Sequence, residues 1–173
     1  RPTYPFEVKS RDVFRIAIPA AIAFITEPMV GIVDTTVIGR LGDPKLLGGV
    51  VLGALAFDSL FSLAYFLRLG TAGLTAQAIG ARDPKDALME AGRAILTALL
   101  LGLVLIALAY PLLWGFDRLL GPSPGVEPAF AQYFLMRIRS APFALINFAL
   151  LGWFYGRGTA RIGMALQILI HGV

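Results

Sequence analysis

The stretch AILTALLLGLVLIALAYPLLWGF, residues 94–116, decides the fold class of this chain. It contains 23 consecutive residues without a charge. An α-helix rises about 1.5 Å per residue and needs about 20 apolar residues to cross a bilayer, so this stretch is long enough for a transmembrane span. The other apolar residues also lie in long runs rather than at an amphipathic period. The sequence therefore predicts an all-α, polytopic transmembrane helical bundle that forms a single domain over residues 1–173.

The composition supports a membrane protein and excludes several other classes. Charged residues make up 15% of the chain, against about 25% in an average soluble domain. The net charge of +4 does not indicate a nucleic-acid partner, because the basic residues cluster between the predicted spans, as membrane orientation requires. There is no cysteine and His171 is the only histidine, so the sequence predicts no disulfide, no thiol chemistry and no His-rich metal site.

Four complete spans and part of a fifth are predicted. The predicted spans are residues 14–38, 45–69, 91–113 and 140–154, and a fifth apolar run begins at Ile162. A further helix over residues 128–139 is expected to lie at the membrane interface and to lead into the fourth span. Residues 162–173 are too few to cross a bilayer, so we expect the chain to be cut inside a span. It begins without a methionine, and we expect a trimmed N-terminus.

Local signals mark the ends of these helices and some of their contacts. Asp43-Pro44 and Asp83-Pro84 are typical of an N-cap followed by proline at the first helical position. The run GPSPG at 121–125 indicates a loop. Small residues at four-residue spacing, Gly49/Gly53 and Gly152/Gly156, let helices approach closely, so we interpret these pairs as packing positions.

The distribution of lysine and arginine predicts the orientation. With a cytoplasmic N-terminus, ten basic residues lie on or beside the cytoplasmic side and five on the other side. The ten are Arg1, Lys9, Arg11, Arg15, Arg68, Arg82, Lys85, Arg93, Arg157 and Arg161; the five are Arg40, Lys45, Arg118, Arg137 and Arg139. Because positive loops stay inside, we expect a multi-pass protein of the bacterial inner (plasma) membrane with its N-terminus in the cytoplasm.

Two carboxylates in the first span carry the strongest functional signal. Glu27 and Asp34 are seven residues apart, which places them within about 20° of one helix face and about 10 Å apart along the axis. A charge at bilayer depth costs at least about 2.5–3.5 kcal/mol unless it is neutralised, paired or hydrated. Pro28 lacks an N–H group and predicts a bend. The pattern favours a proton, ion or substrate pathway over a membrane anchor.

Other polar residues in the predicted spans have both a structural and a functional interpretation. Asp58 lies near the middle of the second span and either caps a polar contact or lines a cavity. Asn147 either bonds to a neighbouring helix or lines the cavity. Thr35 is a potential hydrogen-bond donor to Asp34, or a cavity-lining residue. Arg68 lies at the predicted end of the second span, where a long side chain is expected to extend to the interface.

Three strings of residues resemble a known family. They are VDTTVIGRLG at 33–42, LGGV at 47–50 and FLRLGTAGLTAQA at 66–78, and later Arg137, SAP at 140–142 and LLGW at 150–153 agree with them. In order and spacing they resemble the multidrug and toxic compound extrusion (MATE) transporters, in their DinF-like bacterial branch. The likeness runs over nearly the whole chain.

The resemblance implies a protein of about twelve spans in two six-helix bundles, of which this chain is an incomplete N-terminal bundle. The branch's first-span aspartate, implicated in proton coupling, falls on Asp34, and its helix-bending proline falls on Pro28. The chain departs from the branch at Phe24, Glu27 and Asp58, where an asparagine, an apolar residue and a small polar residue are usual. The branch's polar partners in the fifth span would begin just beyond Val173.

The leading hypothesis is a secondary multidrug efflux transporter, an antiporter that exports organic, cationic or amphipathic compounds by alternating access. The coupling ion would be H⁺, or Na⁺, which requires several oxygen ligands at once; no organic cofactor is expected. Its partners would be small organic molecules, membrane lipids and the missing C-terminal half of the same chain. A flippase for lipid-linked intermediates of the same superfamily is the alternative. An intramembrane enzyme and a non-transporting scaffold are disfavoured, by the lack of a nucleophile motif and by the buried carboxylates respectively.

Overall fold

The computed structural model describes residues 10–40 and 42–171, apart from the side chains of residues 12, 15, 23, 24, 26–31, 34, 170 and 171. This part of the chain is all-α and contains no strand, which confirms the predicted fold class. The helices are α1 (Ser10–Gly39), α2 (Pro44–Leu63), α3 (Tyr65–Gly80), α4 (Pro84–Ala107), α5 (Ala109–Leu120), α6 (Glu127–Ile138), α7 (Ala141–Gly156) and α8 (Ala160–His171).

The first predicted span lies within α1, which is one continuous helix of 30 residues. Its length of about 45 Å is sufficient to cross a bilayer. Helix α8 packs along it, and α2 makes a smaller contact. The side chain of Pro28 lies outside the described residues, so the bend at this position remains a prediction.

The second span is longer than its predicted bounds of 45–69. Helices α2 and α3 follow one another over 37 residues, from Pro44 to Gly80. The predicted start is confirmed, because the Asp43 carboxylate accepts a hydrogen bond from the Lys45 N–H at 2.9 Å. The predicted end was wrong, because residues 70–80 stay helical where one face of α3 is buried.

A short irregularity at Ala64 separates α2 from α3. Just before it, the hydroxyl of Ser59 donates to the carbonyl of Leu55 at 2.8 Å, and that of Ser62 donates to the carbonyl of Ser59 at 2.7 Å. Such bonds compete with the helix's own ladder and often bend it. They explain why the path deviates here without ending.

The uncharged stretch 94–116 also contains a break that its composition conceals. Helix α4 starts at Pro84, where Asp83 accepts from the N–H groups of Lys85 and Asp86, each at 3.0 Å, and ends at Ala107. Helix α5 starts two residues later. Pro111 has no N–H for the carbonyl four residues before it, and its ring crowds that carbonyl. The single predicted span 91–113 is therefore two helices.

The fourth predicted span, residues 140–154, corresponds to α7, which forms a bent pair with α6 before it. Gly121, with φ of 57°, ends α5, and the predicted loop follows it. Helices α6 and α7 then meet at an angle of 53°. Pro142 is the second residue of α7, where its missing N–H costs no helical hydrogen bond and its fixed φ suits the start of a helix. Helix α6 agrees with the bounds of the helix predicted over residues 128–139, and its location at the membrane interface remains a prediction.

Helix α7 lies at the centre of the packing, between α3 and α4. A side chain at Gly152 would collide with the carbonyl oxygen of Arg68, and one at Gly156 would lie 2.5 Å from that of Ala72. Gly49 and Gly53 likewise face α6 so closely that an added Cβ would overlap Ala129 and Tyr133. The interpretation of both glycine pairs as packing positions is confirmed.

Two apolar clusters fill the interior. One joins α3, α4 and α7 around Ala98 and Leu145, and the other joins α2, α5 and α6 around Phe57, Phe130 and Phe134. Large apolar side chains also cover the outside of the bundle: Leu63, Leu69, Leu119 and Phe143 are each more than 70% exposed. Such a surface favours a lipid environment.

Among the described residues, the path from Pro44 to Gly80 and helix α4 are each long and apolar enough to cross a membrane, and the bent α6–α7 pair would add a third if it crosses as one span. Loops alternate between the two ends of the bundle, as predicted. Gly158 lies near Ile16 at one end, and Gly48 lies beside Val126 at the other. Which end faces the cytoplasm remains a prediction.

Candidate functional site

The two predicted coupling residues, Glu27 and Asp34, belong to α1, whose backbone is helical through both positions. Their seven-residue spacing therefore keeps them near one face of a single helix. Their side chains lie outside the described residues, so their partners remain predictions. The neighbours of the helix are established: α8 and α2 pack against α1.

The hydroxyl residues next to Asp34 occupy exposed positions on α1. Thr35 and Thr36 are both exposed. Thr36 donates its hydroxyl to the carbonyl of Ile32 at 2.7 Å, a bond within the helix that uses its one donor. The cavity-lining role of Thr35 stays a prediction.

Asp58 lies on the exposed side of α2, next to Ser59. Among the described side chains, no lysine or arginine forms an ion pair with it. Its neighbours Ala56 and Phe57 are buried in the cluster shared with α5 and α6. The carboxylate is thus directed away from this cluster and is available to groups outside the described bundle.

Asn147 forms an interhelical hydrogen bond. Its Nδ2 donates to Oε1 of Gln167 at 3.3 Å, which joins α7 to α8, the helix that packs on α1. Gln167 is 1% exposed. Of the two interpretations of Asn147, the structure supports the interhelical contact; Gln167, its partner, was not singled out from sequence.

Arg68 is buried, with 2% of its surface exposed, so the expectation that it extends to the interface was wrong. Its Nη2 donates to the hydroxyl of Tyr155 at 3.1 Å, and its Cζ lies 5.1 Å from the centre of the Tyr155 ring. Because the helical path runs on from α2 through α3 to Gly80, Arg68 lies inside this path rather than at its end. A buried cation requires a polar partner. The sequence contains one signal for this contact: Tyr155 lies between Gly152 and Gly156, the pair of small residues that lets a neighbouring helix approach closely.

A second charged cluster lies in the first turns of α4. Arg93 forms ion pairs with Glu90 and, at 3.4 Å, with Asp86. Glu90 is 8% exposed. This cluster lies at the end of the bundle that contains the loop between α7 and α8. Within the described residues, no group of three His, Cys, Asp or Glu side chains could hold a metal ion.

Comparisons with known proteins agree with this architecture. The family model described as MatE matches residues 19–172. DNA damage-inducible protein F of Escherichia coli is 38% identical over 159 residues, which cover 92% of this chain and 35% of that protein. The probable multidrug resistance protein NorM of Deinococcus radiodurans is 30% identical over 128 residues, which cover 74% of this chain and 27% of that protein.

A solved structure gives the same fold. A MOP superfamily transporter from Pyrococcus furiosus superposes with a TM-score of 0.82 at 24% identity, over 93% of this chain and 35% of that one. The chain therefore spans about a third of the length of the relatives that it matches.

Proposed function

This chain belongs to the MatE family of membrane transporters, and we propose that it forms most of the N-terminal bundle of a proton-coupled multidrug exporter. Its relatives in the family are transporters and not enzymes. The proposed cargo is an organic cation or an amphipathic compound, moved out of the cytoplasm by alternating access between this bundle and a second one.

The observation that carries the proposal is the pair of carboxylates on α1. Asp34 stands in the string VDTTVIGRLG, and Glu27 lies two helical turns earlier. An acidic cavity attracts cations, and protonation of a carboxylate removes that attraction. One group can therefore bind either the proton or the cargo, which couples the two fluxes in opposite directions.

The packing around α1 supports a distinct role for this helix. The tightest glycine contacts of the bundle join α3 and α4 to α7, and α2 to α6, whereas α1 contacts mainly α8. Helix α8 is in turn attached to α7 through the bond from Asn147 to Gln167. A protonation event on α1 would therefore be transmitted to the rigid part of the bundle through α8.

The test is proton-driven efflux of a cationic dye from proteoliposomes that contain the full-length protein. Asp34→Asn retains the size and polarity of the side chain but stays neutral, so we expect insertion to survive and coupled export to be lost. Glu27→Gln should weaken export or shift its pH optimum. Normal export by Asp34→Asn would contradict the proposal.

Asp43→Asn is the matched control. It removes a carboxylate nine residues away, in the loop before α2. Because asparagine is as good an N-cap as aspartate, α2 should keep its start, and export should remain at the parental level. Equal losses in Asp34→Asn and Asp43→Asn would indicate a general charge effect rather than a coupling site.

The proposed orientation, with the N-terminus in the cytoplasm, has its own test. In a cysteine-free background, an impermeant maleimide should label Ser123→Cys in intact cells and label Lys85→Cys only after permeabilisation. Both positions are exposed, whereas the nearby Ala87 is 3% exposed and would resist labelling on either side. The reverse pattern would mean that the bundle is inverted.

A further inference from the structure

The two tryptophans of the chain share one arrangement. Each has an arginine four residues later on the same helix face. The Cζ of Arg157 lies 4.5 Å from the centre of the Trp153 ring, and that of Arg118 lies 4.4 Å from the centre of the Trp114 ring. The first pair lies at the end of α7 and the second near the end of α5.

In both pairs the arginine presents hydrogen-bond donors to its surroundings. A guanidinium that stacks on an aromatic ring contacts the ring through its own flat face. Its N–H groups lie in the guanidinium plane, so they point past the ring toward other acceptors. Arg118 and Arg157 are exposed, and neither guanidinium makes a hydrogen bond or ion pair with another described residue. Arg93, by contrast, is engaged by Glu90 and Asp86. The stacked arginines are therefore oriented cations suited to an oxyanion such as a phosphate.

The two pairs lie near opposite ends of α4, a helix long enough to cross a membrane. The Trp153 Nε1 donates to the carbonyl oxygen of Ala87 at 2.7 Å, so this ring is level with the first turn of α4. Trp114 belongs to α5, which follows the other end of α4; α4 alone has 24 residues, which is about 36 Å at 1.5 Å per residue. The hydrocarbon core of a bilayer measures about 30 Å, so α4 is long enough to place the two pairs at opposite interfaces.

The surroundings of each pair also fit a membrane interface. Trp114 is 61% exposed, and Tyr110, one turn earlier, is 74% exposed, as in the aromatic belts of membrane proteins. At the Trp153 end, Arg82, Lys85 and Arg161 are exposed as well, so this end carries the larger positive field. At the other end Arg118 follows Asp117 directly, which offsets its charge.

From these observations we infer that the stacked arginines bind phospholipid phosphates, Arg157 in one leaflet and Arg118 in the other, and so fix the depth of the bundle in the membrane. The Arg157 site selects anionic phospholipids, because its basic neighbours add attraction that a zwitterionic headgroup does not use. The inference concerns the lipid boundary and does not depend on the transported compound.

The test is native mass spectrometry of the full-length protein in mild detergent, titrated with phosphatidylglycerol or phosphatidylcholine. Arg157→Gln should bind phosphatidylglycerol about tenfold more weakly, the loss expected for one charge-assisted contact. Arg157→Lys keeps the charge but loses the planar donors. Its affinity for phosphatidylglycerol should lie between those of the parent and Arg157→Gln. The matched control is Arg93→Gln, at the same end of the bundle but engaged by carboxylates, which should bind as the parent does.

Parental binding by Arg157→Gln, or an equal loss in Arg93→Gln, would overturn the anionic site. Depth is measured separately with brominated lipids. The contribution of each tryptophan is the difference in fluorescence between the parent and Trp153→Phe or Trp114→Phe. Each contribution should be quenched more by bromine near the headgroup than by bromine at the end of the acyl chain. Stronger quenching at the chain end would overturn the boundary assignment for that pair.

Discussion

Two regions of the same apolar helical path place a charged residue in opposite environments. Arg68 lies in the contact between α3 and α7, and Asp58 lies on the exposed side of α2. Arg68 is 2% exposed and bonds to Tyr155. Asp58, ten residues earlier on the same 37-residue path, is exposed and forms no ion pair with a described residue. One charge is part of the bundle's interior, and the other faces outward.

The difference shows that a charge within an apolar run has no fixed meaning. A buried cation must keep its partners, because desolvation without them is costly. Its substitution should therefore affect folding. An outward carboxylate is free of such constraints within this bundle, and its substitution should affect folding very little. The following predictions test this contrast.

Gly152→Leu should have the largest effect, since its side chain would collide with the carbonyl of Arg68 and backbone cannot move aside at low cost. We expect little or no folded protein by size-exclusion chromatography in detergent. The matched control is Gly73→Leu on α3, where an added Cβ meets nothing within 4 Å, and this variant should fold. A well-folded Gly152→Leu would show that α3 and α7 can separate freely.

Tyr155→Phe should have the next largest effect. It keeps the ring under Arg68 and removes only the hydroxyl that accepts from Nη2. An interhelical hydrogen bond in a membrane contributes about 1–2 kcal/mol in model systems, so the melting temperature of the full-length protein should fall by several degrees. An unchanged melting temperature would mean that the Tyr155 hydroxyl contributes little to holding the guanidinium.

Asn147→Leu should have a smaller effect, about 0.6 kcal/mol, the average for interhelical hydrogen bonds measured by double-mutant cycles in a membrane protein. The bond to Gln167 is 3.3 Å long. In a cycle with Gln167→Leu, the two losses should not be additive, because both variants remove the same bond. Additive losses would indicate that the two residues act separately.

Asp58→Asn should have the smallest effect on stability, within about 0.5 kcal/mol, as is usual for exposed positions away from special contacts. Among the three carboxylates of the first two predicted spans, Glu27, Asp34 and Asp58, it should also matter least for dye export. If Asp58→Asn abolished export while Asp34→Asn did not, the exposed side of α2 would carry the coupling site, and the ranking of the carboxylates would be reversed.

Several features of the fold were predictable because their causes are local. Asp43 and Asp83 cap the helices that follow them, since a side-chain oxygen needs only backbone N–H groups two or three residues away. Pro111 was an equally local signal for the break between α4 and α5, although the apolar composition around it concealed it. Glycine spacing predicted close packing, but not which helix would be the partner.

The environment of the charges was not predictable in the same way. Whether Arg68 reaches an interface or lies in a contact depends on the length of α3, and that length depends on the apolar face that α7 covers. The partners Tyr155 and Gln167 lie 87 and 20 positions from the residues they bond. Side-chain contacts over such separations are set by how whole helices pack.

The sequence by itself determined the membrane class, the family and the alternation of the loops, because each follows from runs of residues read in order: apolar length, capping residues and ordered strings. Only the tertiary structure decided that Arg68 is enclosed by α7, that Asp58 is left outside the core, and that the bond from Asn147 to Gln167 joins α7 to the helix beside α1. The physical reason is that a residue is buried only when two helix surfaces pack together, and the sequence of one helix describes only one of these surfaces.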